Sequence, residues 1–202
     1  MPVHDLNATA LFLTDLQNDF LHPEGAYARG GQSAPEIAAV PARMATLVKQ
    51  MREAGYLVMA SHFTLVSGRG GQPIISPHLK TLRPFLAAGD FAPGSWGAAT
   101  VDALQPVDVV IEKVAYSAFY MTRLEWVLRK LGISRLLVAG IVTNGGVAST
   151  VRDAHVRDFE VVVIEDGCAA FSPAVHTAAI EGLRPVARIA RIAELRKEIA
   201  KK

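Results

Sequence analysis

The sequence is poor in sulfur, in net charge and in long apolar runs. Its 202 residues hold a single cysteine, Cys168. One thiol closes no intrachain disulfide and builds no cysteine-rich zinc site, so a reducing cytoplasmic setting is expected. Twenty-one Lys and Arg face nineteen Asp and Glu, for a net charge of +2, and the basic residues are scattered. That balance argues against a nucleic-acid footprint. The apolar runs are too short and interrupted for a membrane span, and the opening Met-Pro-Val-His-Asp-Leu lacks the charged-then-apolar layout of a signal peptide. No repeat or low-complexity tract points to a fibre or solenoid. No Gly-x-Gly-x-x-Gly or phosphate-loop lysine motif is present; Gly68-Arg69-Gly70-Gly71 does not join a strand to a helix as such motifs require.

What is present is a globular pattern, half of it apolar. Stretches 8–15, 55–61, 135–142 and 159–165 are near-continuous in Val, Ile, Leu and Ala, and 107–112 alternates somewhat more. Such runs mark strands covered on both faces. Helical patterns lie between them. Residues 35–54 carry Ile37, Val40, Met44, Leu47, Val48 and Met51 on one stripe and stop at Gly55. Further helices are expected over 121–131, 145–157 and 173–182, the last opened by Ser172-Pro173. Alternating strands and helices predict an α/β fold, three layers with a mainly parallel, doubly wound sheet. No composition break suggests a linker, so residues 1–202 read as one domain. Two long glycine-bearing loops, 21–33 and 64–77, are of a length usually kept for function.

In open α/β sheets ligands bind beyond the carboxyl ends of the strands. The first strand delivers Asp15, Gln17 and Phe20 there, the second His62, and the strand near 110 Lys113, followed by Tyr116 and Phe119. Asp15 and Lys113 each end an apolar run. A carboxylate beside an ammonium in a partly dry cleft can move protons while its charge stays balanced; the same pair can also simply staple the sheet. Thr143-Asn144-Gly145-Gly146 runs into a helix, which makes either an oxyanion site of backbone N–H groups or a plain capped turn. Tyr116 and Phe119 could wall a small-molecule pocket. Histidines 4, 22, 62, 78, 155 and 176 show no close ligand spacing, and neither metal nor cofactor is expected.

These segments together resemble the isochorismatase-like, or cysteine hydrolase, superfamily. The resemblance is carried by Leu13 to Phe20, Pro93-Gly94-Ser95-Trp96-Gly97, Glu112-Lys113 with Tyr116 to Phe119, and Gly140 to Thr150 with Arg152-Asp153-Ala154. It covers roughly residues 9–175. It implies a three-layer α/β hydrolase of small molecules that assembles as a dimer or tetramer. In amidase members Asp activates a cysteine thiol, Lys supports the charge, and the thiol attacks a carbonyl; Asp15 and Lys113 match the first two positions. The resemblance also implies a cis Ile141–Val142 peptide and an oxyanion hole from the Val142 and Gly146 N–H groups, with Asn144, Gln17, Phe20, His62, Tyr116 and Phe119 around the substrate. The departure is at the thiol: the family reads Thr-Asn-x-Cys-Val, this chain Thr143-Asn144-Gly145-Gly146-Val147.

Three readings follow. Isochorismatases proper also resemble the chain in having glycine at that position, and in an Ala-x-Phe-Ser segment like Ala169-Ala170-Phe171-Ser172. They hydrolyse a vinyl ether by protonating its alkene carbon and adding water, which needs Asp15 and Lys113 but no thiol. This is the principal expectation, for a small substrate, anionic ones included. The second reading is an amidohydrolase scaffold, acting on C–N bonds, inactive or weakly active because Gly146 replaces its nucleophile. The third is a non-catalytic scaffold that only binds a small molecule. Cys168 lies 22 residues beyond Gly146 and reads as a packing residue.

Overall fold

The computed structural model describes residues 5–200; His4 and the first residues of the N-terminal stretch lie outside it. Six strands form one sheet: β1 (Thr9–Thr14), β2 (Leu57–Phe63), β3 (Val109–Lys113), β4 (Arg135–Ile141), β5 (Glu160–Ala169) and β6 (Arg188–Ala190). Their order is β3-β2-β1-β4-β5-β6, and every neighbouring pair is parallel. The sheet therefore grows outward in both directions from the β1–β4 pair. At that pair the connections leave in opposite directions and open a crevice at the carboxyl ends.

The nine helices among the described residues are α1 (Asn18–Leu21), α2 (Ala26–Arg29), α3 (Pro35–Ala38), α4 (Val40–Glu53), α5 (Pro77–Leu82), α6 (Leu124–Lys130), α7 (Ala148–His155), α8 (Pro173–Glu181) and α9 (Ile192–Ala200). Alternate strand residues go to opposite layers, as the strand period demands. Leu11, Leu13, Val58, Ala60, Leu137 and Val162 pack with Met44, Leu47 and Met51 of α4 and Leu195 of α9. Ala10, Phe12, Met59, Leu136, Val138 and Val163 pack with Leu124 and Leu128 of α6 and Val151 of α7. Both faces are covered, which is why the strands read as continuous apolar runs.

Local departures from the sequence pattern have local causes. The 35–54 stripe is buried as expected but breaks at Ala39, because Pro41 brings no N–H for the preceding turn. Helix α6 begins three residues later than the pattern, after Met121, whose φ of 54° is incompatible with a right-handed helix. Strand β5 runs on through Cys168, with a register shift against β4 between Val138 and Gly140. Gly140 is required there. Its φ is +129°, and a Cβ would stand 2.1 Å from the Thr14 carbonyl oxygen, so no side chain fits between β1 and β4 beside the crevice. Short β6, α5 and α9 were not in the sequence pattern.

Candidate active site

Three strand ends converge at the crevice. Asp15 follows β1 with φ 57°, a left-handed backbone that turns its carboxylate off the strand line. Lys113 closes β3, in register with Phe63 of β2. Lys113 Nζ lies 2.7 Å from Asp15 Oδ2, with both side chains almost fully buried. Ser61 Oγ donates to Asp15 Oδ1 at 2.8 Å. Nζ also donates to the carbonyls of Ala115 and Tyr116, each at 2.9 Å. An ammonium has three donors, so Lys113 is fully committed and immobile. Burial pushes the Asp15 carboxyl above its ordinary value of 3.8, while the Lys113 charge and the hydrogen bonds from Lys113 and Ser61 pull it back. A buried carboxyl held in this way can carry a proton at a pH where an exposed one is ionised.

The third element is the end of β4. The Ile141–Val142 peptide is cis, as the resemblance implies, and the chain then makes one wide turn of π-helical type, Thr143–Val147, into α7. Gly146 of this turn faces the acid. A Cβ on it would stand 3.0 Å from Asp15 Oδ2, 3.0 Å from the Ile141 carbonyl oxygen and 3.2 Å from Thr14 Cγ2. Its φ lies outside the left-handed region. Thus the backbone does not demand glycine here, and the approach of the carboxylate is what a side chain would meet.

Asp15, Lys113, Val142 and Gly146 border a cavity of about 410 Å³. One wall is aromatic, from Phe20, Tyr27, Phe63 and Phe171, and another comes from α5 and its end, with Leu79, Leu82 and Arg83. Tyr116 closes the side next to Lys113. The aromatic rings hold one another, with Phe20 4.5 Å from Phe91 and 4.7 Å from Tyr27 between centroids. Asp19 ties this wall together: its carboxylate accepts from the N–H of Ala26 and of Phe91.

Of the residues expected from sequence, Asp15, Lys113, Gly146, Val142, Phe20 and Tyr116 are brought to this cavity. Four expected substrate contacts are placed elsewhere. Gln17 is fully buried and spends its amide on Phe63 and Ala98, bracing β2 against the 98–100 segment. His62 points to the other side of β2 from Ser61 and Phe63, where its Nε2 pairs with Thr100 Oγ1 at 2.7 Å; burial lowers its pKa to about 4. Asn144 is exposed on the outer side of the turn and does not line the cavity. Phe119 is buried in the opposite layer, 5.7 Å from Phe159. Conversely, Ser61, Tyr27, Leu79 and Leu82 were not singled out as site residues, although Tyr27 belongs to the long 21–33 loop and Leu79 and Leu82 follow closely on 64–77. Cys168 lies 3% exposed in β5, its Sγ directed at the Val138 carbonyl, and burial pushes its thiol up to about 12. Among the described residues no three His, Cys, Asp or Glu side chains gather in a metal-binding set, and no helix is long and apolar enough to cross a membrane.

Comparison with known proteins agrees with this geometry. The isochorismatase domain model matches residues 9–194. A ureidoacrylate amidohydrolase from Methylobacterium radiotolerans is 35% identical over 191 residues, covering 89% of this chain and 74% of that protein. The crystal structure of a cysteine hydrolase from Pseudomonas syringae pv. phaseolicola superposes with a TM-score of 0.83 at 23% identity, over 100% of this chain and 96% of that one. N-carbamoylsarcosine amidase from Thermoplasma acidophilum superposes with a TM-score of 0.71 at 25% identity, over 93% of this chain and 98% of that one. The chain belongs to the isochorismatase family and is a hydrolase of the isochorismatase-like superfamily.

Proposed function

We propose that this hydrolase cleaves a small vinyl ether, anionic ones included, by proton transfer and water addition without a covalent intermediate. The observation that carries this reading is the face of Asp15. Its carboxylate looks across at Gly146, at 3.0 Å from where a Cβ would stand, so the acid is paired with Lys113 and with no side-chain nucleophile. Burial favours its protonated form. Asp15 gives that proton to the terminal alkene carbon, and the charge left on the ether-bearing carbon takes up water. The water proton returns to Asp15, and the hemiketal collapses to ketone and alcohol. Lys113 balances the carboxylate during the interval, while Ser61 fixes its orientation. Val142 and Gly146 offer the backbone N–H groups for a developing oxygen charge. The same reading takes residues 1–202 as one cytoplasmic hydrolase domain, working without cofactor as a dimer or tetramer.

The second reading is a C–N hydrolase scaffold, favoured by the 35% identity to a ureidoacrylate amidohydrolase. In that case Gly146 stands where a thiol is missing, and turnover is slow or absent. One experiment separates the two. Pyruvate release from 2-methoxyacrylate, an enol ether, and ammonia release from ureidoacrylate are measured for wild type, Asp15→Asn and Gly146→Cys. Pyruvate from wild type, reduced by about 10²–10⁴ in Asp15→Asn, is the expected result. Ammonia from Gly146→Cys alone, with no pyruvate from any protein, replaces the first reading with the second. Turnover untouched by Asp15→Asn removes both.

A further inference from the structure

The cavity carries more positive charge than the chain neutralises. Asp15 and Lys113 cancel as an ion pair. Arg83 does not: among the described residues no Asp or Glu lies within salt-bridge distance of it. With Asp15 ionised, the Asp, Lys and Arg of the lining sum to one uncompensated positive charge; when Asp15 holds the proton, the second charge is that of Lys113, whose three donors are already spent. The guanidinium is held, but only by neutral oxygens. Nε donates to the Tyr27 hydroxyl at 2.8 Å and Nη2 to the Tyr116 hydroxyl at 3.2 Å. Those two bonds fix the plane of the fork and leave further N–H donors available. A half-buried cation beside Leu79, Leu82 and Phe171, held only by hydroxyls, gains from a counter-charge that a ligand brings. A planar fork matches a carboxylate through two parallel hydrogen bonds.

We propose that Arg83 is the specificity-determining anchor of the site, and that its substrate is a monoanion. One carboxylate sits on the Arg83 fork, and a short apolar or unsaturated body crosses the aromatic wall. The hydrolysable bond then meets Asp15. The proposal rests on the hydrolase reading above. Tyr116 sets the scale, since its carbonyl oxygen receives Lys113 Nζ while its hydroxyl receives Arg83. A single tyrosine thus joins the reacting end to the anchoring end, and the ligand body it borders is no longer than a ring with a short arm. A second carboxylate on the ligand would find only Lys113, whose donors are already filled.

The test uses cinnamate and cinnamamide, which share shape and differ in charge, with 4-carboxycinnamate as the dianion. Affinities are measured by calorimetric titration into wild type, Arg83→Gln, Arg83→Lys and Asp15→Asn. Wild type is expected to prefer cinnamate over cinnamamide by about tenfold or more, and to gain nothing from the dianion. Arg83→Gln loses that preference, and Arg83→Lys keeps only part of it because the fork is gone. Equal affinities for acid and amide in wild type, or no measurable binding of cinnamate, overturn the anchor without reliance on any variant. Preference retained in Arg83→Gln overturns it as well. Asp15→Asn separates this from the catalytic reading. Charge preference kept in that variant while turnover is also unchanged leaves the anchor standing and removes Asp15 chemistry.

Discussion

Replacing Lys113 by Met probes the centre of the site, because methionine is a similarly unbranched side chain that carries no charge. The ammonium satisfies Asp15 Oδ2 at 2.7 Å and two carbonyls at 2.9 Å, with 1% of the side chain exposed. Its removal leaves an uncompensated buried carboxylate and two carbonyls without that donor. Breaking one partner of a buried pair costs about 3–5 kcal/mol. For a chain of this length that corresponds to a melting temperature lower by about 6–20 °C. The pH dependence gives the sharper test. Asp15 has a raised value in the folded protein, so the folded state binds the proton more tightly than the unfolded one. Its contribution to stability is complete below 3.8 and is lost as pH rises through the raised value. Without Lys113, which pulls that value down, the loss extends to higher pH. The difference between wild type and Lys113→Met should therefore grow as pH rises and shrink towards acid, where the carboxyl is neutral in both. The added Asp15→Asn change should recover part of the deficit at neutral pH, because the uncompensated charge is gone. Calorimetric melting of wild type, Lys113→Met, Asp15→Asn and the double variant across the acid to neutral range checks this. A pH-independent deficit, or one below about 1 kcal/mol, would refute the picture of a buried charge pair, since only exposed pairs are so weak.

Other consequences are smaller and separable. Gly146→Ala places a methyl group against Asp15 Oδ2 and the Ile141 carbonyl. Overpacking of about 1–3 kcal/mol is set against a gain of about 0.4–1 kcal/mol from reduced unfolded-state freedom, for a net loss of up to about 2.6 kcal/mol by urea unfolding. Its turnover should fall further than Asp15-independent binding of cinnamate, because the methyl group takes the space facing the acid. Cys168, buried and with its thiol pushed up to about 12, should react with Ellman's reagent only after urea unfolding; rapid reaction of the native protein would contradict its packing. His62, lowered from 6.5 to about 4, is uncharged in the folded state at neutral pH. Its contribution is present above 6.5 and lost as pH falls through about 4, so His62→Gln should flatten the stability curve between those values.

How far the sequence reveals this protein depends on how local the determining physics is. The strands were legible because both faces of a parallel sheet are buried, which writes near-continuous apolar runs through the middle of β1, β2, β4 and β5. The convergence of Asp15 and Lys113 followed from strand ends alone. Side-chain direction was not legible to the same degree. His62 and Ser61 are adjacent, yet the pleat sends Ser61 to the carboxylate and His62 to Thr100; the sequence offers no marker of which side is the crevice. Phe119 failed as a wall for a related reason. The bend after Tyr116 carries it into the opposite layer against Phe159, whereas Tyr116 stays at the cavity. Arg83 depends on the packing of α5, a six-residue helix with no buried residue and hence no apolar stripe to announce it.

The contacts that hold the acid and the lysine in place do not depend on the residue at position 146. Asp15 is set by its left-handed backbone and by Ser61, and Lys113 by the Ala115 and Tyr116 carbonyls. None of these contacts involves the residue at 146. The close approach that fixes β1 against β4 is at Gly140, six residues earlier, where the Thr14 carbonyl excludes any side chain. At Gly146 the backbone conformation is ordinary, and the obstacles are a carboxylate oxygen, a carbonyl oxygen and a methyl group, each within a few tenths of an ångström of normal contact. The Asp15–Lys113 pair is therefore a property of the sheet, while the residue that faces it at 146 is a property of one turn. A fold built this way can support side-chain attack or water attack with the same acid and the same lysine. The anchor proposed at Arg83 lies on the opposite wall, so its test does not depend on which attack is used.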